Sequence, residues 1–136
     1  MGLFFCFFQN LRRPKRKKVR KKPSLEKKKY LKFKESAREL ICKRVGEINE
    51  FYNFSYSRIS IRNQRTRWGS CSKKGNLNFN YRIALLPRKY MDYVISHELC
   101  HLKEFNHSKN FWLLVAQTVP DYREIRKAIR KMKVGS

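Results

Sequence analysis

The 136-residue sequence predicts an α+β domain, and three observations carry that expectation. Apolar residues first recur at three- and four-residue steps over residues 24–52. They then alternate with polar residues in short segments between 59 and 81. The helical period returns from residue 87 to the end. The order is helix, three strands, three helices. It implies an N-terminal helix, a small three-stranded sheet of antiparallel type, and a group of C-terminal helices.

Ser24 has the chemistry of a helix N-cap. Behind it Tyr30, Phe33, Ala37, Leu40, Ile41, Val45, Ile48 and Tyr52 fall on one stripe, so the first helix runs to about Phe51. Ile59 and Ile61 alternate with Ser60 and Arg62, the period of a strand. Residues 66–71 form a second strand candidate. A turn-rich loop, 72–76, leads to a third in which Leu77, Phe79 and Tyr81 alternate with Asn78 and Asn80. Pro87 suits the first turn of a helix, whose stripe is Met91, Ile95, Leu99 and Leu102 and whose end is expected near Phe105–Asn106. Ser108 caps a helix bearing Phe111, Leu114 and Val115. Pro120 opens the last, with Tyr122, Ile125, Ile129 and Met132 on one face.

Residues 1–23 read as a basic, flexible extension ahead of a domain at 24–136. An apolar tip, residues 3–8, precedes a basic run closed by Pro23. The chain carries 34 Lys and Arg against 10 Asp and Glu, a net charge of +24. Residues 12–34 alone hold 14 basic side chains and one acid. Such a field attracts nucleic acid or other polyanions. The longest apolar run is far short of the roughly 20 residues a membrane span needs, and positive charge follows it rather than precedes it as in a signal peptide. Four scattered cysteines without a CxxC pair fit reduced thiols. A cytoplasmic location is the expectation; oligomeric state is not legible.

All three histidines, His97, His101 and His107, fall within eleven residues. The first two frame an HExxH motif. Four residues make one helical turn, so both imidazoles project from one face and can grip one metal ion. The apolar stripe lies on another face, free to pack. Glu98, beside the first ligand, suits a general base toward water polarised by the metal. His107 lies past the expected helix end, so the chain must turn back, and Asn106 tolerates the left-handed conformation such a turn can use. Three histidines with an open fourth corner are the catalytic pattern for one zinc ion. A nitrogen site is also compatible with cobalt, nickel or manganese. A bare HExxH arises by composition in roughly a few chains per thousand, but here no histidine falls outside the cluster.

Around this motif stand Ile59-Ser60-Ile61-Arg62-Asn63-Gln64, Arg67-Trp68-Gly69-Ser70-Cys71-Ser72, Asn106-His107-Ser108 with Phe111-Trp112, and Pro120-Asp121-Tyr122. Together, in this order, they closely resemble the YgjP-like metallopeptidase family, related to the SprT-like and WLM zinc peptidases among the zincins. The resemblance spans about residues 25–133. It implies a minimal zincin-like fold, zinc ligands at His97, His101 and His107, and Glu98 as catalytic acid and base. The ligand offsets match the metzincin pattern too, but that pattern's glycine is Glu104 here and no Met-turn follows.

Arg62, Arg65 and Arg67 read either as sheet decoration or as groups that steady an oxyanion or an anionic substrate. Tyr81, Tyr90 and Tyr93 are candidate oxyanion donors among which the sequence does not choose. Cys71 and Cys100 read as small buried fillers. The leading expectation is a zinc metallopeptidase acting on a peptide or protein, with an edge strand, Leu77–Asn80, aligning an extended substrate. An alternative is hydrolysis of a nucleoside triphosphate such as UTP on the same metal, an activity associated with some YgjP-like members and suited to the arginines. A further alternative is a nucleic-acid-associated protein whose zinc is structural.

Overall fold

A computed structural model describes residues 22–135. The apolar tip and nearly all of the basic extension, including the polyanion contacts expected from residues 12–21, lie outside the described residues. The elements are α1 (Leu25–Tyr52), β1 (Arg58–Arg62), β2 (Gly69–Cys71), β3 (Asn76–Asn80), a 3-10 turn (Tyr81–Leu85), α2 (Arg88–Cys100), α3 (Lys109–Thr118) and α4 (Tyr122–Lys131). No helix among the described residues is long and apolar enough to cross a membrane.

α1 starts where its cap chemistry predicts: the Ser24 hydroxyl accepts from the Lys27 N–H at 3.3 Å. It ends at Asn53, which takes the left-handed conformation (φ 53°). Ala37, Ile41, Val45 and Ile48 of the stripe are buried, whereas Leu40 is 44% exposed. Arg44 reaches from α1 to Asp92 of α2 through two bonds of 2.6 and 2.9 Å, a bidentate clamp.

The expectation of an antiparallel-type sheet holds for one of its two pairings. The strand order is β1-β3-β2, with β2–β3 antiparallel and β1–β3 parallel, in register Ile59 with Leu77 and Ile61 with Phe79. The sheet is therefore mixed. Alternation reports which face is buried and is silent on strand direction. The residues between β1 and β3, which include β2, act as the crossover that a parallel pair requires. The expected substrate edge is corrected. β3 is the central strand, paired on both sides, so Leu77–Asn80 has no free edge for a substrate; β1 and β2 are the edges.

The crossover is pinned by a buried amide. Asn80 is fully buried, and its side chain donates to the carbonyls of Gln64 (2.7 Å) and Arg67 (3.2 Å) while accepting from the Arg82 N–H. Its own backbone N–H donates to the Trp68 carbonyl at 2.8 Å. Satisfied in this way, a polar core residue costs little and holds residues 64–68 in one path. α2 lies at the centre of the molecule, packed against α1, α3, α4 and β2. Met91, Ile95 and Leu99 are buried as the stripe predicts. A polar chain fixes α3: Tyr52 of α1 donates to the Leu114 carbonyl at 2.7 Å, and Thr118 bridges Tyr52 (2.7 Å) to buried Ser96 of α2 (2.9 Å).

Candidate active site

His97 projects from the last full turn of α2. The helix ends at Cys100, earlier than the apolar stripe implies, because Leu102 and Lys103 bond back three residues instead of four and tighten the chain off the axis. His101 is the residue that closes the helix, yet its backbone stays helical (φ −65°, ψ −18°). The four-residue relation to His97 therefore survives. The return to His107 needs no left-handed Asn106: among the described residues only Asn53 and Gly75 have positive φ. Ser108 caps α3 by accepting from the Phe111 N–H at 3.4 Å, which sets where His107 stands.

The three rings converge. His97 Nε2 lies 3.2 Å from His101 Nε2 and 3.1 Å from His107 Nε2, and one nitrogen from each of the three falls within 4.8 Å of the others. Phe111 supports all three rings, with centroids 4.9, 4.5 and 4.9 Å from His97, His101 and His107. Trp112 stacks on His107 and Tyr122 stacks on Trp112.

The donor set fits a divalent ion. His101 Nδ1 stands 3.0 Å from the Glu104 carbonyl, an acceptor, so Nδ1 carries the proton and the Nε2 lone pair faces inward. Zn–N bonds of about 2.0–2.1 Å in a tetrahedron place neighbouring nitrogens about 3.3 Å apart, close to the spacing found. Without a cation between them, such lone pairs repel. Burial pushes His97 down to about 3, helped by repulsion from His101, His107 and Arg126. Burial likewise lowers His101, against the Glu104 carbonyl, and His107. All three rings are thus neutral at pH 7, the form that ligates. His97 Nδ1 is buried with no hydrogen-bond partner.

Glu98 is buried beside them, 6% exposed. It shares a cavity of about 170 Å³ with Trp68, Tyr93, Val94, His97 and Ile129. Burial lifts its carboxyl to about 8, with Arg67 pulling it back. Gly69 of β2 presses on it. A Cβ at Gly69 would lie 2.8 Å from both Cγ and Oε1 of Glu98. Sequence reasoning alone passes over Gly69, although a glycine inside a strand, with no turn to make, signals close approach of another group.

Among the three tyrosines, Tyr93 lines this cavity, its ring 5.8 Å from His97. Burial raises its hydroxyl to about 12, so it keeps its proton to donate. Tyr81 is 2% exposed and packs on Tyr30 at 5.5 Å, as part of the core. The candidate oxyanion role for Tyr81 thus has no support in its placement, because the 3-10 turn that it opens carries that side chain into the core. Arg67 is exposed, and its positive charge is what pulls the Glu98 carboxyl back down. Arg62 ends β1, on the sheet edge opposite β2. Burial pushes the Cys71 and Cys100 thiols up to about 11, which keeps them protonated fillers.

Comparison with known proteins gives the family and the fold. The sequence model of the YgjP-like, metallopeptidase domain matches residues 8–132. The fold is similar to the crystal structure of the metallopeptidase zymogen of Methanocaldococcus jannaschii jannalysin, at TM-score 0.58 and 26% identity over 67% of this chain and 94% of that one. It is also similar to that of Pyrococcus abyssi abylysin, at TM-score 0.60 and 24% identity over 65% of this chain and 90% of that one, a likeness of fold. Comparison with curated proteins finds no match. The chain belongs to the YgjP-like metallopeptidase family, which supports a metal-dependent peptidase.

Proposed function

We propose that this YgjP-like chain hydrolyses peptide bonds, with one zinc ion held by His97, His101 and His107 and with Glu98 as general base. The observation that carries the reading is the meeting of three neutral imidazole nitrogens, one of them from His97, which lines the same cavity as the buried Glu98 carboxyl. Bound there, the ion supplies Lewis-acid polarisation of a water and of the scissile carbonyl. Glu98 takes a proton from the attacking water and returns it to the leaving amine. Its raised affinity for protons suits that exchange, and a nearby cation brings it back to the ionised form. The Tyr93 hydroxyl, protonated at neutral pH, is a donor for the developing oxyanion. The free edge of β2, rather than β3, is the strand on which an extended peptide would align.

Glu98→Gln tests this. Zinc content should be unchanged, since no ligand is touched, and turnover of unfolded protein should fall by at least about a hundredfold. Parental turnover in that variant would sink the proposal. One observation favours nucleoside triphosphate hydrolysis as a second reading: Arg67 lies exposed within electrostatic reach of Glu98. UTP and unfolded protein offered in parallel to the zinc-loaded chain separate the two.

A further inference from the structure

Charge is distributed unevenly over the surface. Five of the ten acids, Glu26, Glu35, Glu39, Glu47 and Glu50, lie on α1, and Asp92 faces α1 through Arg44. Every ion pair among the described residues involves this side: Arg38–Glu35, Arg44–Glu47, Arg44–Asp92, Arg82–Glu26, and Arg88 with Glu47 and Asp92. α1 also carries eight Lys and Arg, so its acids are outnumbered; α4 differs in where its cations lie and in having none of them paired among the described residues. Arg123, Arg126, Lys127 and Arg130 of α4 are all exposed, and none forms an ion pair among the described residues.

These four cations follow the i, i+3, i+4, i+7 spacing and so share one face of α4, away from buried Ile125 and Ile129. They line a common hollow. The nearby acids are Asp121 and Glu124; at about 100° per residue, Glu124 falls to the side of the cationic face. The face adjoins the site. Arg126 lies 4.7 Å over the Trp112 ring, which stacks on His107. Ile129, on the same helix, lines the cavity of His97 and Glu98. A ridge of unneutralised cations at the rim of a hydrolytic site has a self-repulsion that an anionic ligand would relieve.

We infer that α4 selects substrates: its cationic face binds acidic side chains of an extended peptide on one side of the scissile bond. The inference rests on the peptidase reading. Length favours a peptide. From Arg123 to Arg130 the ridge runs about 10 Å, and side chains on one face of an extended strand repeat every 6.8 Å or so. Two acidic residues of such a peptide meet the ridge at once. At about 1 kcal/mol or less per exposed pair, two pairs change affinity roughly tenfold at low salt.

The test uses the full zinc-loaded chain and two peptides with one cleavable core, flanked by Glu or by Lys. The Glu peptide should have a KM roughly tenfold lower at about 50 mM salt, with kcat little changed, and the preference should fade at about 500 mM. Lys127→Gln/Arg130→Gln, which touches neither the Trp112 nor the Tyr122 ring, should weaken the preference several-fold. Equal KM for both peptides at low salt, or a preference that ignores salt, overturns the inference. Binding is read separately, by fluorescence anisotropy of the Glu peptide on Glu98→Gln. If no peptide is cleaved yet this binding is salt-dependent and weaker in the α4 variant, the ridge assignment stands and the peptidase reading falls. A short DNA duplex or UTP that displaces the peptide at concentrations well below the peptide's own Kd overturns the choice of ligand.

Discussion

Gly69→Ala isolates how the sheet places Glu98, the proposed general base. The backbone of Gly69 is not in the left-handed region, so alanine brings no conformational strain there. What it brings is overlap. The new methyl would sit 2.8 Å from Cγ and Oε1 of Glu98 and 3.1 Å from Cδ. Carbon atoms rest about 3.5–4.0 Å apart, so one partner must move by about 1 Å. The outer end of the Glu98 side chain, which lines a cavity, is the partner that gives way, because the two backbones are held. Gly69 is paired with Phe79 in the β2–β3 ladder, and Leu99 and Cys100, next to Glu98 on α2, are fully buried. A displacement of about 1 Å at a catalytic group costs roughly a hundredfold in rate, and overpacking costs about 1–3 kcal/mol of stability. Gly69→Ala should therefore lower kcat about a hundredfold while zinc content stays parental, as measured by turnover beside metal analysis. The double variant Gly69→Ala/Glu98→Gln should be no slower than Glu98→Gln alone, since both changes act on one carboxyl. Parental kcat in Gly69→Ala, or losses that multiply in the double variant, would refute the reasoning.

His107→Ala removes one of three converging nitrogens and should leave the chain unable to retain zinc through dialysis; retention of stoichiometric metal would exclude His107 as a ligand. In metal-free protein, burial lifts Glu98 from 4.5 to about 8, so the folded state holds a proton that the unfolded state has released between those values. That contribution is complete below 4.5 and is lost as pH rises through about 8. Metal-free Glu98→Gln should thus gain stability over the parent as pH goes from 5 toward 8, read by urea denaturation; a pH-independent difference would contradict it. Asn80→Ala strips partners from the Gln64 and Arg67 carbonyls and the Arg82 N–H, and should cost about 3 kcal/mol in the same assay. A loss below about 1 kcal/mol would mean the crossover loop is held by other contacts.

Features set by residues near one another in the chain were legible beforehand. The Ser24 and Ser108 caps, the α1 stripe and the shared face of His97 and His101 all depend on spacings of three or four residues, and helical geometry turns spacing directly into position. The histidine cluster was legible for the same reason, with His107 added because no other histidine exists. Pairings between distant segments were not. Alternation in 59–61 and 77–81 marks a buried face but is identical for parallel and antiparallel neighbours, so β3 became central only through contacts across space. That arrangement, with the 3-10 turn after β3, sent Tyr81 into the core, gave β2 a free edge, and brought Gly69 against Glu98. Packing of α4 on α2 likewise set the α4 cations beside the cleft. Local periodicity is a property of the chain; which surfaces meet, and which charges go unneutralised, emerges only when the whole core closes.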